Sequence, residues 1–185
     1  MRQPRSVLVF LFRMASPAGP EYAVFRRSDD ANWQPVSGGV EGSEDLTTAA
    51  RRETAGETGL SGTSPMYKLD MISGVEKACF AASKNWPGRL YIVPKHYFAV
   101  DAGEEAAAIR LSHEHREFRW LGFEQAYAAL RYDDDKTALW ELDARIRARD
   151  LPEPGEPSVT GPDAAAAGTE ERMDGVPLPG GQPAR

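Results

Sequence analysis

The chain has 185 residues, 22 Lys and Arg against 28 Asp and Glu, a formal net charge of -6 and a single cysteine. Its length suits one domain with an appendage, and an apolar fraction of 41% is ordinary for a globular chain. The lone Cys79 excludes an intramolecular disulfide and a multi-cysteine zinc site, and the acidic balance argues against a nucleic-acid backbone as main partner.

In chain order, Ser6 to Phe12 is a continuous apolar run that predicts a buried strand. Its core, Val7 to Phe12, is closed by Arg13 and is far shorter than a membrane span, so no membrane partner is expected. A turn over Ser16–Pro20 leads to a second strand, Tyr22 to Arg27, and the two are expected to pair as a hairpin. Asp29–Asn32 is another turn, followed by a short strand, Trp33 to Val36, that runs into Gly38-Gly39. Leu46 to Glu57 reads as a helix, with Leu46, Ala49, Ala50 and Thr54 on one face and Gly59 as its stop.

Strands are predicted at Tyr67–Ser73, Val75–Phe80, Leu90–Val93, Tyr97–Val100 and Phe118–Leu121. Helices are predicted at Phe123–Leu130 and Lys136–Arg147, the second with Asp133 to Asp135 capping its positive end. The sum is an α/β (α+β) domain, a mixed sheet with helices packed on it, over residues 1–149.

The composition shifts near residue 150. The last 36 residues hold seven of the 14 Pro and six of the 17 Gly, and no aromatic residue or Ile. Such a segment cannot bury enough apolar surface to offset its ordering entropy, so 150–185 is expected to be a disordered tail. It carries seven acids and two bases, or -5, which leaves the folded part at -6 minus -5, or -1. Cys79 is expected to be a small buried apolar residue, and one cysteine suits a reducing, cytoplasmic setting.

The segment that carries chemistry is Gly38 to Leu60, GGVEGSEDLTTAARRETAGETGL. Glu53 and Glu57 are four apart on a helix, so their carboxylates project from one face and repel unless a cation neutralises them. Glu44 lies two turns before Arg52, within reach of an ion pair that would orient Glu53. Gly38-Gly39 lets the backbone turn and approach a ligand closely.

This pattern resembles the Nudix box, Gly-x5-Glu-x7-Arg-Glu-U-x-Glu-Glu-x-Gly-U, where U is bulky and apolar. Gly38, Glu44, Arg52, Glu53, Glu57, Gly59 and Leu60 match in register. Thr54 departs at a U position, and Gly56 stands where the first Glu of the pair is expected. Arg26-Arg27-Ser28-Asp29-Asp30 with Trp33-Gln34, and Glu114-His115 with Phe118-Arg119-Trp120-Leu121, are similar to the bacterial dihydroneopterin triphosphate diphosphatase branch.

The resemblance implies a Nudix fold, with the mixed sheet between helices, over about residues 5 to 148. It implies a magnesium site, with manganese as the alternative ion, formed by Glu53, Glu57 and Glu114. Arg27, Gly38, Gly39 and Trp33 would meet a small nucleotide-type substrate, with Arg27 favoured over Arg26 for the phosphates. The implied reaction is hydrolysis of a nucleoside or pterin triphosphate to the monophosphate and pyrophosphate, with Glu114 or Glu53 as base and Arg52 as a supporting residue. Two alternatives stand beside it: hydrolysis of dinucleoside polyphosphates or nucleotide sugars, and a weakly catalytic nucleotide-binding module, motivated by Gly56. His113 and His115 read as loop residues, and Trp86, Tyr91 and His96 as strand packing.

Overall fold

The computed structural model describes residues 1–15, 17 and 19–155; the predicted tail from residue 156 onward and part of the Ser16–Pro20 turn lie outside the described residues. Seven strands form one mixed sheet among these residues. They are β1 (Arg2–Ala15), β2 (Gly19–Arg27), β3 (Trp33–Gln34), β4 (Val36–Glu41), β5 (Met66–Glu76), β6 (Ile92–Asp101) and β7 (His115–Gly122). Three α-helices join them: α1 (Leu46–Thr58), α2 (Phe123–Ala129) and α3 (Asp133–Ala148). No helix of the described residues is long and apolar enough to cross a membrane.

The strand β1 organises the sheet. One edge pairs in parallel with β6 from Ser6 to Phe12. Its other edge is shared, with β4 on Arg2–Val9 and β2 on Leu11–Ala15, both antiparallel. Below the hairpin β1 and β2 therefore part, and the β3 and β4 segment fills the opening, pairing with β2 at Phe25–Arg26 and with β1 thereafter. The unbroken apolar run of β1 reflects this central place. Val7, Val9 and Leu11 pack under α1, while Leu8, Phe10 and Phe12 pack with residues of α2 and α3.

Two predicted breaks are absent. The two strands predicted over Tyr67–Phe80 form the continuous β5, which ends at Glu76 in 3-10 turns, and the two predicted over Leu90–Val100 form the continuous β6. The breakers responsible, Gly74 and Pro94, are cross-strand partners. A Cβ on Gly74 would press on the Ile92 side chain, which would have to shift. Cys79, expected to be buried, is exposed on a 3-10 turn. Residues 150–155, read as the start of the tail, lie against the domain: the Gly155 N–H donates to Met66 O at 2.9 Å and its carbonyl accepts from Arg51 at 2.8 Å.

The helix α1 begins at Asp45, whose side chain accepts from the Thr48 N–H, and ends at Gly59 in the left-handed region with φ 73°. Thr54 is buried and donates its hydroxyl to Ala50 O, so the box position that departs from a bulky apolar residue is satisfied locally. Gly56 is exposed, and a side chain added there would meet nothing within 4 Å. Gly56→Ala is therefore expected to stabilise the protein by about 0.5–1 kcal/mol, through helix propensity and a less flexible unfolded chain, as a rise in Tm by calorimetry.

Candidate active site

The box folds as a strand, a short loop and a helix. Gly38 and Gly39 do not form the sharp turn expected of them; both lie within β4, opposite Val7 and Ser6 of β1. Their lack of side chains serves close approach instead. A Cβ on Gly38 would overlap the Glu53 carboxylate, and one on Gly39 would overlap the Arg2 guanidinium on the other face of the strand.

The Glu44–Arg52 pair forms as the spacing predicts. Arg52 donates to both Glu44 carboxylate oxygens, at 2.7 and 3.1 Å, to Glu53 Oε1 at 2.9 Å and to Gly39 O at 2.7 Å. The Gly39 N–H also donates to Glu53 Oε1, at 3.1 Å. Burial opposes ionisation of Glu44, yet Arg52 and the Glu41 N–H hold its pKa below the ordinary value, while Glu44 raises that of Arg52. Arg52 thus acts as a brace that aims Glu53. Arg52→Ala is expected to lower kcat about a hundredfold by loosening that carboxylate, and Arg52→Lys to recover little because the fork of donors is lost; steady-state kinetics checks both.

Glu57 is 4% exposed, and its Oε2 has no hydrogen-bond partner. Its pKa is pushed up to about 8, first by burial and then by the Glu114 and Glu53 charges, against the opposing pull of the Ser37 N–H and Arg27. His115 Nδ1 is 3.5 Å from Glu57 Oε2. His115 is no loop residue: it opens β7 and is buried against Phe25, with ring centres 5.4 Å apart. Burial and then Arg27 lower its pKa while burial raises that of Glu57, so without a cation both groups favour their neutral forms.

Glu114 is carried beside the end of α1 by backbone bonds. Arg110 N–H donates to Thr58 O, Ser112 N–H to Glu57 O and Ser28 N–H to Glu114 O. The same bonds bring the end of β2, with Arg27, to this loop. Arg27 donates both its Nε and Nη2 hydrogens to Asp29, which is the first cause of its raised pKa, and Glu114 adds to the rise. His113 is exposed in this loop and its carbonyl accepts from Ser28 Oγ.

Arg27, Gly38 and Glu114 line one open cavity of about 660 Å³ together with Ser37, Asp29 and Gln34. Glu53 stands directly behind Gly38. Among the described residues no group of three or more His, Cys, Asp or Glu is gathered closely enough to ring one metal ion. Glu114 and Glu53 are near enough to perturb Glu57, but each of the three takes a local setting: Glu53 with Arg52, Glu57 buried, Glu114 at the cavity wall. Trp33 is not in the lining; the guanidinium groups of Arg119 and Arg26 lie 5.0 and 5.9 Å from its ring centre. Arg26 pairs with Glu117 at 3.6 Å.

The far wall of the cavity escaped sequence reasoning. Asp133 to Asp135 fill the first turn of α3 as expected, and Asp134 Oδ1 accepts from the Asp135 N–H at 3.1 Å, although the N-cap residue Tyr132 makes no side-chain cap bond; Asp134 and Asp135 have a second role. They turn to the sheet: Lys95 Nζ lies 2.6 Å from Asp134 and 3.5 Å from Asp135, and Asp135 accepts from Tyr97 Oη at 2.8 Å. Asp134 also accepts from Ser73 Oγ at 2.7 Å, and the Lys95 ammonium sits over the Tyr132 ring. Tyr91 is exposed rather than packed on a strand, whereas Trp86 is buried.

A family model described as NUDIX domain matches residues 2–141. The mouse bis(5'-nucleosyl)-tetraphosphatase [asymmetrical] is 29% identical over 122 residues, 65% of this chain and 77% of that one. A crystal structure from Listeria monocytogenes, described as of a NUDIX hydrolase, is 34% identical with a TM-score of 0.71, covering 80% of this chain and 98% of that one. The Escherichia coli dihydroneopterin triphosphate pyrophosphohydrolase shares the fold at 20% identity and a TM-score of 0.62, covering 78% of this chain and 97% of that one.

Proposed function

The chain belongs to the NUDIX family and is a pyrophosphohydrolase of phosphoric anhydrides, and we propose that its substrate is a nucleotide bearing a chain of phosphates, a dinucleoside polyphosphate in first place. The observation that carries this reading is the shared cavity. Arg27 and Glu114 face it, Glu53 backs Gly38 at its edge, and Glu57 is buried within electrostatic reach of both other carboxylates. The sequence relative at 29% identity, which acts on a bis(5'-nucleosyl) tetraphosphate by its name, supports the order of preference. The triphosphate reading rests on the segments around Arg27 and Glu114 and takes second place.

The donor set fits a hard divalent cation. It is all carboxylate oxygen, one oxygen of Glu57 is buried without a partner, and Gly38 leaves room for the Glu53 carboxylate. The three carboxylates do not ring one ion as they stand; with Glu53 and Glu114 turned toward Glu57 they would hold magnesium or manganese, which when bound neutralises and aligns phosphate oxygens. Glu114, exposed beside the cavity, is placed to accept the proton of the attacking water, whereas Glu53 is committed to Arg52 and the Gly39 N–H. Arg27 holds its charge at the cavity wall through Asp29 and can trade that partner for a phosphate oxygen. Water oxygen bonds to phosphorus as the bridging anhydride oxygen leaves with its electron pair.

A substrate panel with magnesium tests the assignment. A dinucleoside tetraphosphate is expected to give nucleoside triphosphate and monophosphate, with a higher kcat/KM than pyrophosphate release from any single triphosphate. The reverse ranking favours the triphosphate reading. No product from either class overturns both.

A further inference from the structure

Beyond the carboxylates, Ser6 of β1 and Lys95 of β6 line the cavity side by side, and Gly39 of β4 stands in register on the other side of Ser6. Three cations line the cavity, Arg2, Arg27 and Lys95. Two are already paired, Arg27 with Asp29 and Asp30, and Lys95 with Asp134 and Asp135. Arg2 has no carboxylate partner among the described residues, and its buried Nε has no hydrogen-bond acceptor.

Arg2 is nevertheless held in place. Its guanidinium lies over Gly39, in space that any side chain there would take. It stacks on Phe80, 5.1 Å from the ring centre. Phe80 packs on Trp86 at 5.4 Å, and the Trp86 indole N–H donates to the Arg2 carbonyl at 2.9 Å. None of these contacts neutralises the charge. Beside it, Ser6 also lines the cavity; it is 6% exposed and its Oγ has no partner. Buried donors ordinarily find acceptors, and a guanidinium with a hydroxyl beside it matches phosphate oxygens.

We propose that Arg2 and Ser6 form a second anion subsite, which binds phosphates of the substrate chain along the Gly39–Ser6–Lys95 row. The Arg2 guanidinium and the Ser6 hydroxyl donate to phosphate oxygens. The inference deepens the polyphosphate reading of this cavity and rests on it. It also explains Gly39, which makes room for Arg2 as Gly38 does for Glu53.

The test uses inorganic tripolyphosphate as probe, titrated by calorimetry into the full chain and into Arg2→Met and Arg2→Lys. Met keeps a stem to pack on Phe80 and removes the charge; Lys keeps the charge. Arg2→Met is expected to weaken binding about tenfold, with Lys in between, and to raise KM for the best anhydride substrate by a similar factor with kcat within about twofold. Unchanged tripolyphosphate binding in Arg2→Met, or none by the wild type, overturns the subsite. So does a pattern in which Met and Lys lose Tm and kcat alike with KM unmoved, since Arg2 would then only pin the Phe80 turn. Arg2-dependent tripolyphosphate binding by a wild type that hydrolyses no anhydride would sink the proposed function and leave the subsite standing.

Discussion

Glu57→Gln is expected to lower kcat about a thousandfold and, in metal-free buffer, to make the protein more stable at pH 8. The loss follows from removing the buried carboxylate of the three. The gain follows from the same burial. Glu57 has a folded pKa of about 8 against an ordinary value of 4.5, because burial and the charges of Glu114 and Glu53 oppose its ionisation. A group raised in this way contributes stability that is complete below its unfolded pKa and is lost as pH rises through the folded one. Between about pH 4.5 and 8 the metal-free wild type therefore carries a growing electrostatic penalty, on the order of a few kcal/mol, that a neutral Gln avoids. The Gln amide can also face His115 Nδ1, now 3.5 Å from Glu57 Oε2. Thermal melts of both proteins at pH 5 and pH 8 in chelator check the sign: the variant should gain on the wild type as pH rises. A variant that is inactive and also less stable at pH 8 would make Glu57 a structural residue.

The second large effect is on stability at the far wall. Lys95→Met is expected to cost about 3 kcal/mol near pH 8, since it removes the cation from a carboxylate that is almost wholly covered. The Asp135 side chain is 2% exposed and that of Lys95 14%. Burial raises the Asp135 pKa, and Lys95 is the first of the influences that hold it down. Without Lys95 the Asp135 pKa rises further and the acid is neutral at low pH, so the penalty should shrink toward pH 4 and grow as pH rises through the new folded value. Asp134 is less affected because Ser73 Oγ still donates to it. Urea unfolding of the two proteins at pH 5 and pH 8 measures the difference.

The local parts of this molecule were legible in its sequence. The helix α1 runs over Leu46–Thr58, one residue beyond the predicted end, because its cap at Asp45, its stop at Gly59 and its apolar face are all encoded within a few residues. The Glu44–Arg52 brace was legible for the same reason. Context decided the rest. Gly74 and Pro94 read as breaks along the chain but face one another across a continuous ladder. Asp134 and Asp135 stand at the start of a helix, as their sequence suggests, but their bonds to Lys95 and Tyr97, some forty residues away, leave no local mark. Gly38 and Gly39 read as a turn, and only the folded sheet shows that each makes space for a charged side chain from another element. No local signal marks His115 as buried, because its cover comes from Phe25 on the neighbouring strand.

The proposed chemistry requires that Glu53, Glu57 and Glu114, set on one helix and one distant loop, serve a single cation. Calorimetric titration of manganese into the wild type and into Glu53→Gln, Glu57→Gln and Glu114→Gln tests this without reference to substrate. One binding event is expected in the wild type, weakened at least about tenfold by each single substitution. A wild-type event that survives all three substitutions unchanged would place the cation elsewhere and contradict the site.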